Sequence, residues 1–186
     1  MEIEPLAIPE VKRIIPARFR DDRGYFSETY NRRRLAELGI EADFCQDNHS
    51  LSTAEGTLRG LHFQAPPFAQ AKLVRVLRGA ILDVAVDARE GSPTFGRHVS
   101  TELSAENGAQ LFVPAGFLHG FVTRAPDTEV AYKVNAHYDR TSEGSVLWND
   151  PDLAIDWGIP SDAVILSGKD AIAPIWADFK TPFTYH

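Results

Sequence analysis

Residues 57–88, TLRGLHFQAPPFAQAKLVRVLRGAILDVAVDA, contain three short apolar runs separated by a Pro-Pro turn and by an Arg-Gly pair. The runs are rich in Leu, Val and Phe, and the Pro and Gly residues between them are typical of turns that join β-strands. In the third run Leu82 and Val84 share one face, and Asp83 and Asp87 share the other, as expected for a strand with one apolar and one polar face. This stretch therefore predicts consecutive β-strands.

The same pattern extends along most of the remaining chain. Further short runs rich in β-branched or aromatic residues are DFCQDNHSLS (43–52), RHVSTEL (97–103), AQLFVPA (109–115), HGFVTRA (119–125) and TEVAYKVN (128–135). Evenly spaced short strands with turn residues between them indicate an all-β sandwich or barrel. We expect a jelly roll, in which two antiparallel sheets face each other, with a few short peripheral helices.

One short helix is predicted near the N-terminus. Asn31 is a favoured residue type for a helix N-cap, RRRLAEL (32–38) follows it, and Gly39 suits the position just after a helix end. Before this helix we expect short strands at residues 11–15 and 25–30, with a turn between them. The helix is expected to lie outside the sheets.

Composition excludes several classes of partner. The chain has 26 Asp and Glu against 19 Lys and Arg, a formal net charge of −7, which argues against a nucleic-acid-binding protein. No apolar run approaches the roughly 20 residues that span a bilayer, and the N-terminus lacks the basic and apolar segments of a signal peptide. The single cysteine, Cys45, excludes an intrachain disulfide and is expected to be a small buried side chain. These features predict a cytoplasmic protein without a membrane partner, and a length of 186 residues predicts one domain, residues 1–186.

Basic residues concentrate in one part of this acidic chain. No Asp or Glu occurs between Glu55 and Asp83. The basic side chains of that window are Arg59, His62, Lys72, Arg75 and Arg78. A local excess of positive charge in an acidic protein indicates a site for an anionic small molecule.

His62 is the first candidate for acid–base chemistry, because the ordinary pKa of an imidazole lies nearest to neutral pH. Tyr132 shares a strand face with Val130 on a regular strand, and the inner face of a jelly roll also binds ligands. A phenol placed there can donate a proton. Asp83 and Asp170 are equal candidates for the carboxylate that orients the histidine, because sequence spacing does not distinguish them.

Two histidine-containing stretches resemble the two sequence motifs of the cupins. They are GLHFQ (60–64) and VPAGFLHGF (113–121). Cupins usually bind a metal through a His-x-His pair, an acidic residue and a third histidine. Here Gln64 stands in place of the second histidine, and no acidic residue lies between Gln64 and Asp83. Two imidazoles without a nearby third ligand make a poor transition-metal site, so we predict a cupin-like jelly roll without a metal.

Several stretches, in this order along the chain, resemble the dTDP-4-dehydrorhamnose 3,5-epimerases, metal-free cupin-like enzymes of deoxysugar-nucleotide biosynthesis. The stretches are DRGYFSE (22–28), QDNHS (46–50), RGLHFQ (59–64), AQAKLVR (69–75), VPAGFLHGF (113–121) and WNDP (148–151). The resemblance implies an isomerase that inverts C3 and C5 of dTDP-4-dehydro-6-deoxy-D-glucose, giving dTDP-4-dehydro-L-rhamnose for dTDP-L-rhamnose biosynthesis. It also implies a homodimer that needs no cofactor.

The resemblance implies a catalytic role for four residues. His62 would remove a proton from the sugar, and Asp170 would pair with that histidine. Tyr132 would return a proton from the opposite face, and Lys72 would stabilise the enolate oxygen. This set suits the chemistry, because C3 and C5 of a 4-keto sugar are both α to the carbonyl and lose a proton readily only when the enolate charge is stabilised.

The other residues implied by the resemblance bind substrate. Arg23 and Arg59 would hold the pyrophosphate with His119 nearby, since the forked donors of arginine suit phosphate. The implied substrate-binding set also contains Phe26, Glu28, Gln46, Asn48, Tyr138, Glu143 and Lys169. Tyr138 would stack on the thymine, and residues near the N-terminus would reach the site of the neighbouring subunit.

One geometric conflict and two departures from the family follow from the same residues. Strict alternation would place Arg59 and His62 on opposite faces of one strand, so we expect Gly60 to lie at a bulge or a strong twist. Phe68 stands where the family often has histidine, which we expect to change a turn and not the chemistry. Gly168 stands where an acid is usual, which we expect to loosen its loop.

Three rival functions are weighed against this one. An epimerase acting at C3 or C5 alone would use the same base and acid. A sugar-nucleotide-binding module without catalysis is disfavoured because both His62 and Tyr132 are present. A metal-dependent cupin oxygenase or isomerase is disfavoured by Gln64. The sequence leaves open whether the nucleotide is thymidine or uridine.

Overall fold

The computed structural model describes residues 1–185, which form mostly β-strands. The strands are β1 (Glu2–Pro5), β2 (Lys12–Ile15), β3 (Phe19–Asp21), β4 (Gly24–Phe26), β5 (Gln46–Ser52), β6 (Leu58–Gln64), β7 (Lys72–Arg78), β8 (Ala80–Asp87), β9 (Arg89–Glu90), β10 (His98–Ser104), β11 (Gln110–Val113), β12 (Phe117–Thr123), β13 (Thr128–Val134), β14 (Glu143–Ser145) and β15 (Phe183–Thr184). The α-helices are α1 (Arg32–Glu37) and α2 (Gly168–Ala171), and short 3₁₀ helices occupy Ser161–Ala163 and Trp176–Asp178. None of the helices within residues 1–185 has the length and apolar character needed to cross a membrane.

Two larger sheets form the body of the molecule. One sheet has six strands in the order β1-β2-β11-β7-β13-β5, and the other has five strands in the order β10-β8-β12-β6-β14. The pairings within both sheets are antiparallel. This is the cupin-like jelly roll predicted from the sequence, with only short helices outside the sheets.

Two apolar clusters explain why the central strands of the five-stranded sheet are covered on both faces. The first cluster contains Ala85 of β8 and residues of the six-stranded sheet such as Val74, and therefore lies between the sheets. The second cluster joins Val84 of β8 to Trp157 and Phe183 of the C-terminal segment. Because that segment covers the outer face of the sheet, every residue of β12 is buried.

The polar face of β8 is covered by the opposite sheet. Asp83 and Asp87 do share a face of β8, as alternation predicts, but that face is not exposed to solvent. It points between the two sheets, and the exposed fraction of both residues is 0%. Strand alternation identifies the two faces correctly and does not reveal that both are covered.

The predicted helix is confirmed, and parts of the N-terminal prediction are wrong. The Asn31 side chain accepts a hydrogen bond from the Arg34 backbone N–H at 3.2 Å, so Asn31 is the N-cap of α1. Gly39 follows the helix end with φ of +72°, a left-handed conformation that glycine adopts without a steric penalty. The strand expected at residues 25–30 is shorter and belongs to the β3–β4 hairpin. Cys45 is exposed, because it lies just before the edge strand β5.

Candidate active site

A cavity of about 400 Å³ is lined by side chains from both larger sheets. Arg59 and His62 of β6 and His119 of β12 contribute from the five-stranded sheet. Lys72 of β7 and Tyr132 of β13 contribute from the six-stranded sheet. These five residues were all predicted from the sequence, and the fold brings them together from strands that are distant along the chain.

A bulge at Gly60 allows Arg59 and His62 to line the same cavity. His62 pairs with His119 of β12 and Arg59 pairs with Phe121, so the register shifts by one residue between the two pairs. Gly60 has φ of +136°, and a Cβ added there would lie 2.5 Å from the Cα of Gly120. The close approach of the two backbones requires glycine, and the extra residue of the bulge changes the side-chain alternation. The bulge predicted from the sequence is confirmed.

His62 pairs with Asp170 and not with Asp83. The His62 Nε2–H donates to Asp170 Oδ1 at 2.6 Å, and the exposed fraction of Asp170 is 3%. Ser167 is the N-cap of α2, and its hydroxyl accepts a hydrogen bond from the Asp170 backbone N–H, which fixes the short turn carrying the carboxylate. Burial alone would raise the pKa of Asp170, but the hydrogen bond and positive charge offered by His62 outweigh burial and lower that pKa. Asp170 is therefore a carboxylate that orients His62.

Asp83 makes the equivalent contact with the second histidine. The His119 Nε2–H donates to Asp83 Oδ1 at 2.6 Å, and both residues are buried. The other ring nitrogen of His119, Nδ1, lies 3.4 Å from Lys72 Nζ. Sequence spacing left Asp83 and Asp170 as alternatives for one histidine, whereas the structure gives each carboxylate a histidine of its own.

Lys72 and His119 have perturbed pKa values because they lie between the sheets. Burial lowers the pKa of Lys72 to about 8, against the opposing effect of the negative charges of Asp83 and Glu143. Burial also lowers the pKa of His119, and the nearby positive charge of Lys72 lowers it further, although Asp83 opposes both effects. At neutral pH the site therefore holds a protonated lysine beside a neutral imidazole.

Tyr132 lies on the inner face of β13, as predicted, where it packs against the same cluster as Val130. Burial raises the pKa of its phenol, the charge of Glu143 raises it further, and Arg59 partly offsets both effects. The phenol therefore keeps its proton at neutral pH and can donate it.

Arg59 is held by contacts with β5, a strand of the six-stranded sheet. Its Nε–H donates to Ser52 Oγ at 3.2 Å, and one terminal N–H₂ group donates to the Leu51 carbonyl at 3.1 Å. These contacts fix the guanidinium in the cavity wall and leave further N–H donors available to an anion.

A smaller cavity of about 140 Å³ shares His62, Lys72 and Tyr132 with the first one. The predicted binding residues that line it are Gln46, Asn48, Tyr138 and Glu143. They form a connected polar group: Gln46 Nε2 donates to Asn48 Oδ1 at 2.9 Å, and the hydroxyl of Tyr138 donates to Glu143 Oε2 at 3.2 Å. The Tyr138 ring is 56% exposed and is free to stack on a planar ligand.

Lys169 connects the two cavities. It lines the larger cavity and forms an ion pair with Glu143, which lines the smaller one. Burial would raise the pKa of Glu143, but the hydrogen bonds and charge of Lys169 lower it below its ordinary value. The segment that carries Asp170 is thereby attached to β14.

Three predicted binding residues lie outside both cavities within one chain. Arg23, Phe26 and Glu28 belong to the β3–β4 hairpin and the segment after it. The Arg23 side chain is 90% exposed and pairs with Asp21 at 2.6 Å, and Phe26 is 70% exposed. Within a single chain, Arg23 and Arg59 do not share a site.

The acid-free window contributes fewer cavity residues than its charge suggested. Arg75 lines a separate depression on the outer face of the six-stranded sheet, and Arg78 pairs with Glu129. The Arg75 side chain points away from the space between the sheets, because it alternates with the buried Val74 and Val76, and Arg78 is exposed at the end of β7. Of the five basic residues of this window, only Arg59, His62 and Lys72 line the larger cavity.

Sequence analysis missed several residues of the cavity wall. Ser50 lines the cavity, and its buried hydroxyl has no hydrogen-bond partner among residues 1–185. Alternation along β5 would have indicated it, because Ser50 follows Gln46 and Asn48 at the same spacing. The apolar part of the wall consists of Leu58, Phe121, Ile165 and Leu166. No sequence signal distinguishes these side chains from ordinary core residues.

The donor atoms of the site do not resemble a transition-metal centre. Residues 1–185 contain no group of three or more His, Cys, Asp and Glu side chains arranged to hold a metal ion. Gln64, at the position of the second cupin histidine, donates to the carbonyls of Phe68 and His137 at 2.7 and 3.2 Å. The Gln64 amide therefore binds two loops. Phe68 lies in the turn after β6 and lines neither cavity.

Comparisons with known proteins identify the family. A profile described as dTDP-4-dehydrorhamnose 3,5-epimerase matches residues 5–178 of the chain. The dTDP-4-dehydrorhamnose 3,5-epimerase of Sinorhizobium fredii is 50% identical over 189 residues, which cover 100% of this chain and 94% of that protein.

Solved structures agree with the sequence comparison. The dTDP-4-dehydrorhamnose 3,5-epimerase from Elizabethkingia anophelis matches with a TM-score of 0.91 and 49% identity, covering 96% of this chain and 97% of that chain. The dTDP-6-deoxy-D-glucose-3,5-epimerase from Legionella pneumophila, solved in complex with dTDP-4-keto-L-rhamnose, matches with a TM-score of 0.94 and 44% identity, covering 100% and 98% of the two chains. The resemblance found in the sequence motifs is confirmed, and the chain belongs to the dTDP-4-dehydrorhamnose 3,5-epimerase family of isomerases.

Proposed function

We propose that this protein epimerises dTDP-4-dehydro-6-deoxy-D-glucose at C3 and C5, giving dTDP-4-dehydro-L-rhamnose for the biosynthesis of dTDP-L-rhamnose. The observation that carries the proposal is the arrangement of His62 and Tyr132, which line one cavity from opposite sheets. Inversion of a carbon needs a base on one face of the sugar and an acid on the other, and two facing sheets can supply both. The negative charge of the chain and its single cysteine favour a cytoplasmic setting for this reaction.

The proposed chemistry begins with His62. Its Nε2–H donates to Asp170, so Nδ1 keeps the lone pair that accepts a proton from C3 or C5 of the bound sugar. The buried carboxylate of Asp170 stabilises the imidazolium that forms. The proton lost from carbon leaves an enolate whose negative charge gathers on the C4 oxygen.

Lys72 and Tyr132 complete each inversion. At neutral pH the ammonium of Lys72 is largely protonated, and it donates to the enolate oxygen in a site with little water, where such a bond is strong. The phenol of Tyr132 keeps its proton because its pKa is raised, and it delivers that proton to the opposite face of the carbon. The same set of groups acts on both carbons, since C3 and C5 flank the same carbonyl.

The nucleotide part of the substrate is proposed to bind in the smaller cavity. Tyr138 would stack on the thymine, and the group formed by Gln46, Asn48 and Glu143 would offer hydrogen bonds to the nucleoside. Arg59 would bind the pyrophosphate, because its guanidinium is fixed at the cavity wall. The Lys169–Glu143 pair lies where the two cavities meet and would contact the bound molecule.

We also propose a homodimer in which the β3–β4 hairpin completes the partner's site. The hairpin exposes Phe19, Tyr25 and Phe26 by 65%, 53% and 70%, an unusual density of exposed aromatic rings. Arg23 and Glu28 lie outside the cavities of their own chain, so a contribution to the site requires a second copy. This arrangement would place Arg23 beside Arg59 of the other subunit.

A solvent-exchange assay tests the proposed reaction. The protein is incubated with the 4-keto sugar nucleotide in D₂O, and deuterium at C3 and C5 is followed by NMR. Label at both carbons, lost in His62→Asn, supports the proposal. Tyr132→Phe should still exchange protons on the histidine side but lose inversion, because it removes only the opposing acid. Label at one carbon alone would favour the single-carbon epimerase, and nucleotide binding without exchange would favour a non-catalytic module.

Subunit mixing tests the proposed dimer. Homodimers of His62→Asn and of Arg23→Ala should each be weak, and random mixing should restore roughly a quarter of the wild-type sites, because only one site of each mixed dimer keeps both residues. A monomer by analytical ultracentrifugation, or no recovery of activity on mixing, would contradict the shared site without bearing on the reaction itself.

A further inference from the structure

The buried carboxylate of Asp83 has no role in the proposed reaction. Asp83, in the middle of β8, has an exposed fraction of 0% and accepts a single hydrogen bond, from His119 at 2.6 Å. Its second oxygen, Oδ2, is buried and has no hydrogen-bond partner among residues 1–185. A buried carboxylate that lacks a full set of partners is costly, so its position calls for a role beyond packing.

The contacts of His119 permit only one protonation state. Asp83 is a carboxylate and can only accept, so His119 Nε2 must carry a hydrogen. Lys72 Nζ, 3.4 Å from the other ring nitrogen, is an ammonium and can only donate, so Nδ1 must keep its lone pair. His119 is therefore neutral, protonated on Nε2, and accepts a hydrogen bond from Lys72.

We propose that Asp83 is a positioning residue for Lys72: it holds His119 as the Nε2–H tautomer, so that the Nδ1 lone pair holds the ammonium at the edge of the cavity. One donor of the ammonium is then used by His119, and the remaining donors face the substrate oxygen. This inference rests on the proposed function for the role of Lys72 at the enolate, but the tautomer and the lysine contact are properties of the protein alone.

The negative charge of Asp83 has a second effect in the same direction. It raises the pKa of Lys72 against burial and so helps to keep the lysine charged. The other titratable side chains that line the two cavities with Lys72 are Arg59 and His62 on β6, His119 on β12, Tyr132 on β13, Tyr138 between β13 and β14, Glu143 on β14, and Lys169 and Asp170 on α2. Among them Asp170 is already paired with His62 and Glu143 with Lys169, whereas the charge of Asp83 has no cationic partner within residues 1–185 other than the His119–Lys72 chain.

Asparagine is the informative replacement, because it keeps the shape of Asp83 and removes its charge. An amide can accept from His119 Nε2–H or donate to Nε2, so Asp83→Asn no longer enforces one tautomer. Asp87→Asn is the matched control, since Asp87 lies on the same strand, is equally buried and pairs with Arg89 and Ser92 away from the cavities. A purely structural role for Asp83 would make the two variants alike.

The first test is the tautomer of His119, measured by ¹H–¹⁵N NMR at pH 7 on protein labelled in histidine. We expect a neutral Nε2–H imidazole in the wild type and in Asp87→Asn, and a mixed or inverted population in Asp83→Asn. An imidazolium or an Nδ1–H tautomer in the wild type would overturn the proposal. The wild-type measurement needs no turnover and no folded variant, so its failure is distinct from failure of the proposed reaction.

The second test is the pH profile of turnover. Asp83→Asn should lower kcat by about tenfold with little change in KM, and should move the alkaline fall in kcat to lower pH by about one unit, because Lys72 loses a favourable charge. Asp87→Asn should keep the wild-type profile. A lowered kcat in Asp83→Asn with an unshifted alkaline limb would mean that Asp83 only supports packing, and the proposal would fail.

Discussion

Two histidine–aspartate pairs lie side by side in this site, and they differ in what holds the carboxylate. In both pairs a histidine Nε2 lies 2.6 Å from an aspartate Oδ1. Asp83 is fixed in the middle of a central strand, and its histidine side chain is 7% exposed. Asp170 is carried by a four-residue helix in the C-terminal segment, and its histidine side chain is 29% exposed.

The difference between the pairs lies in the second nitrogen of each ring. The pair built from adjacent strands turns that nitrogen to Lys72, so its proton pattern is fixed by the fold. In the other pair the histidine lines the cavity, so its second nitrogen is available to a substrate. In the proposed mechanism the same hydrogen bond would serve a base in one place and a support in the other, and the neighbouring groups would decide which.

Among the variants that test this comparison, Asp170→Asn should cause the largest loss of activity. The amide leaves the shape of the pair intact but cannot stabilise the imidazolium of His62, so we expect kcat to fall by about 10³-fold with KM little changed. Steady-state kinetics and C3 and C5 exchange measure this loss. Ser167→Ala is the control, because it removes a cap and keeps the carboxylate; we expect a change of only a few-fold. If Asp83→Asn lowered kcat more than Asp170→Asn, the roles proposed for His62 as the base and His119 as the support would be reversed.

Gly60→Ala should damage both pairs together. The added methyl would lie 2.5 Å from Gly120 Cα at φ of +136°, so the strands β6 and β12 that carry His62 and His119 would be forced apart. We expect a loss of about 3 kcal/mol in the free energy of unfolding, measured by urea denaturation, because a backbone clash cannot be relieved by a side-chain rotation. Unchanged stability together with full activity would show that the bulge is not required to place the two histidines.

The strands and the two histidines of the pairs could be predicted from the sequence. The strands from β5 to β13 were predictable, because alternating apolar residues and turn residues are local signals. His62 and His119 were found through local motifs, and the bulge at Gly60 followed from the need to place two side chains on one face. A glycine between two functional residues of one strand is therefore an informative signal in its own right.

Local sequence patterns do not predict the partners of the histidines, because these depend on distant parts of the fold; only the family resemblance paired Asp170 with His62. Asp170 lies 108 positions from His62, and only the C-terminal segment's return over the five-stranded sheet brings it there. Asp83 was expected on the polar face of its strand, and its burial depends on the opposite sheet. The outward direction of Arg75 likewise follows from strand pairing. Tertiary packing decides each of these contacts, and a short stretch of sequence carries no information about that packing.

The fall in wild-type activity at high pH tests the His119–Asp83 pair, because this pair contacts Lys72. Lys72 has a pKa lowered to about 8 by burial, and in the proposed mechanism it must be protonated to stabilise the enolate. Activity should therefore be present below this pH and fall about tenfold for each pH unit above it. In Lys72→Arg the fall should move to higher pH, because a guanidinium stays charged. If this substitution left the pH of the fall in activity unchanged, the fall would be due to another group, such as Tyr132.

Gly168→Ala should have the smallest effect and tests the pair formed by His62 and Asp170. Gly168 begins α2, its backbone is not in the left-handed region, and a Cβ added there meets no atom within 4 Å. Alanine reduces the freedom of the unfolded chain and favours the helical turn that holds Asp170, so we expect a gain of about 0.5 kcal/mol in stability and an unchanged kcat. Urea denaturation and steady-state kinetics measure both. A fall in kcat would mean that the turn carrying Asp170 must move during turnover. The His62–Asp170 pair would then differ from the His119–Asp83 pair in motion as well as in position.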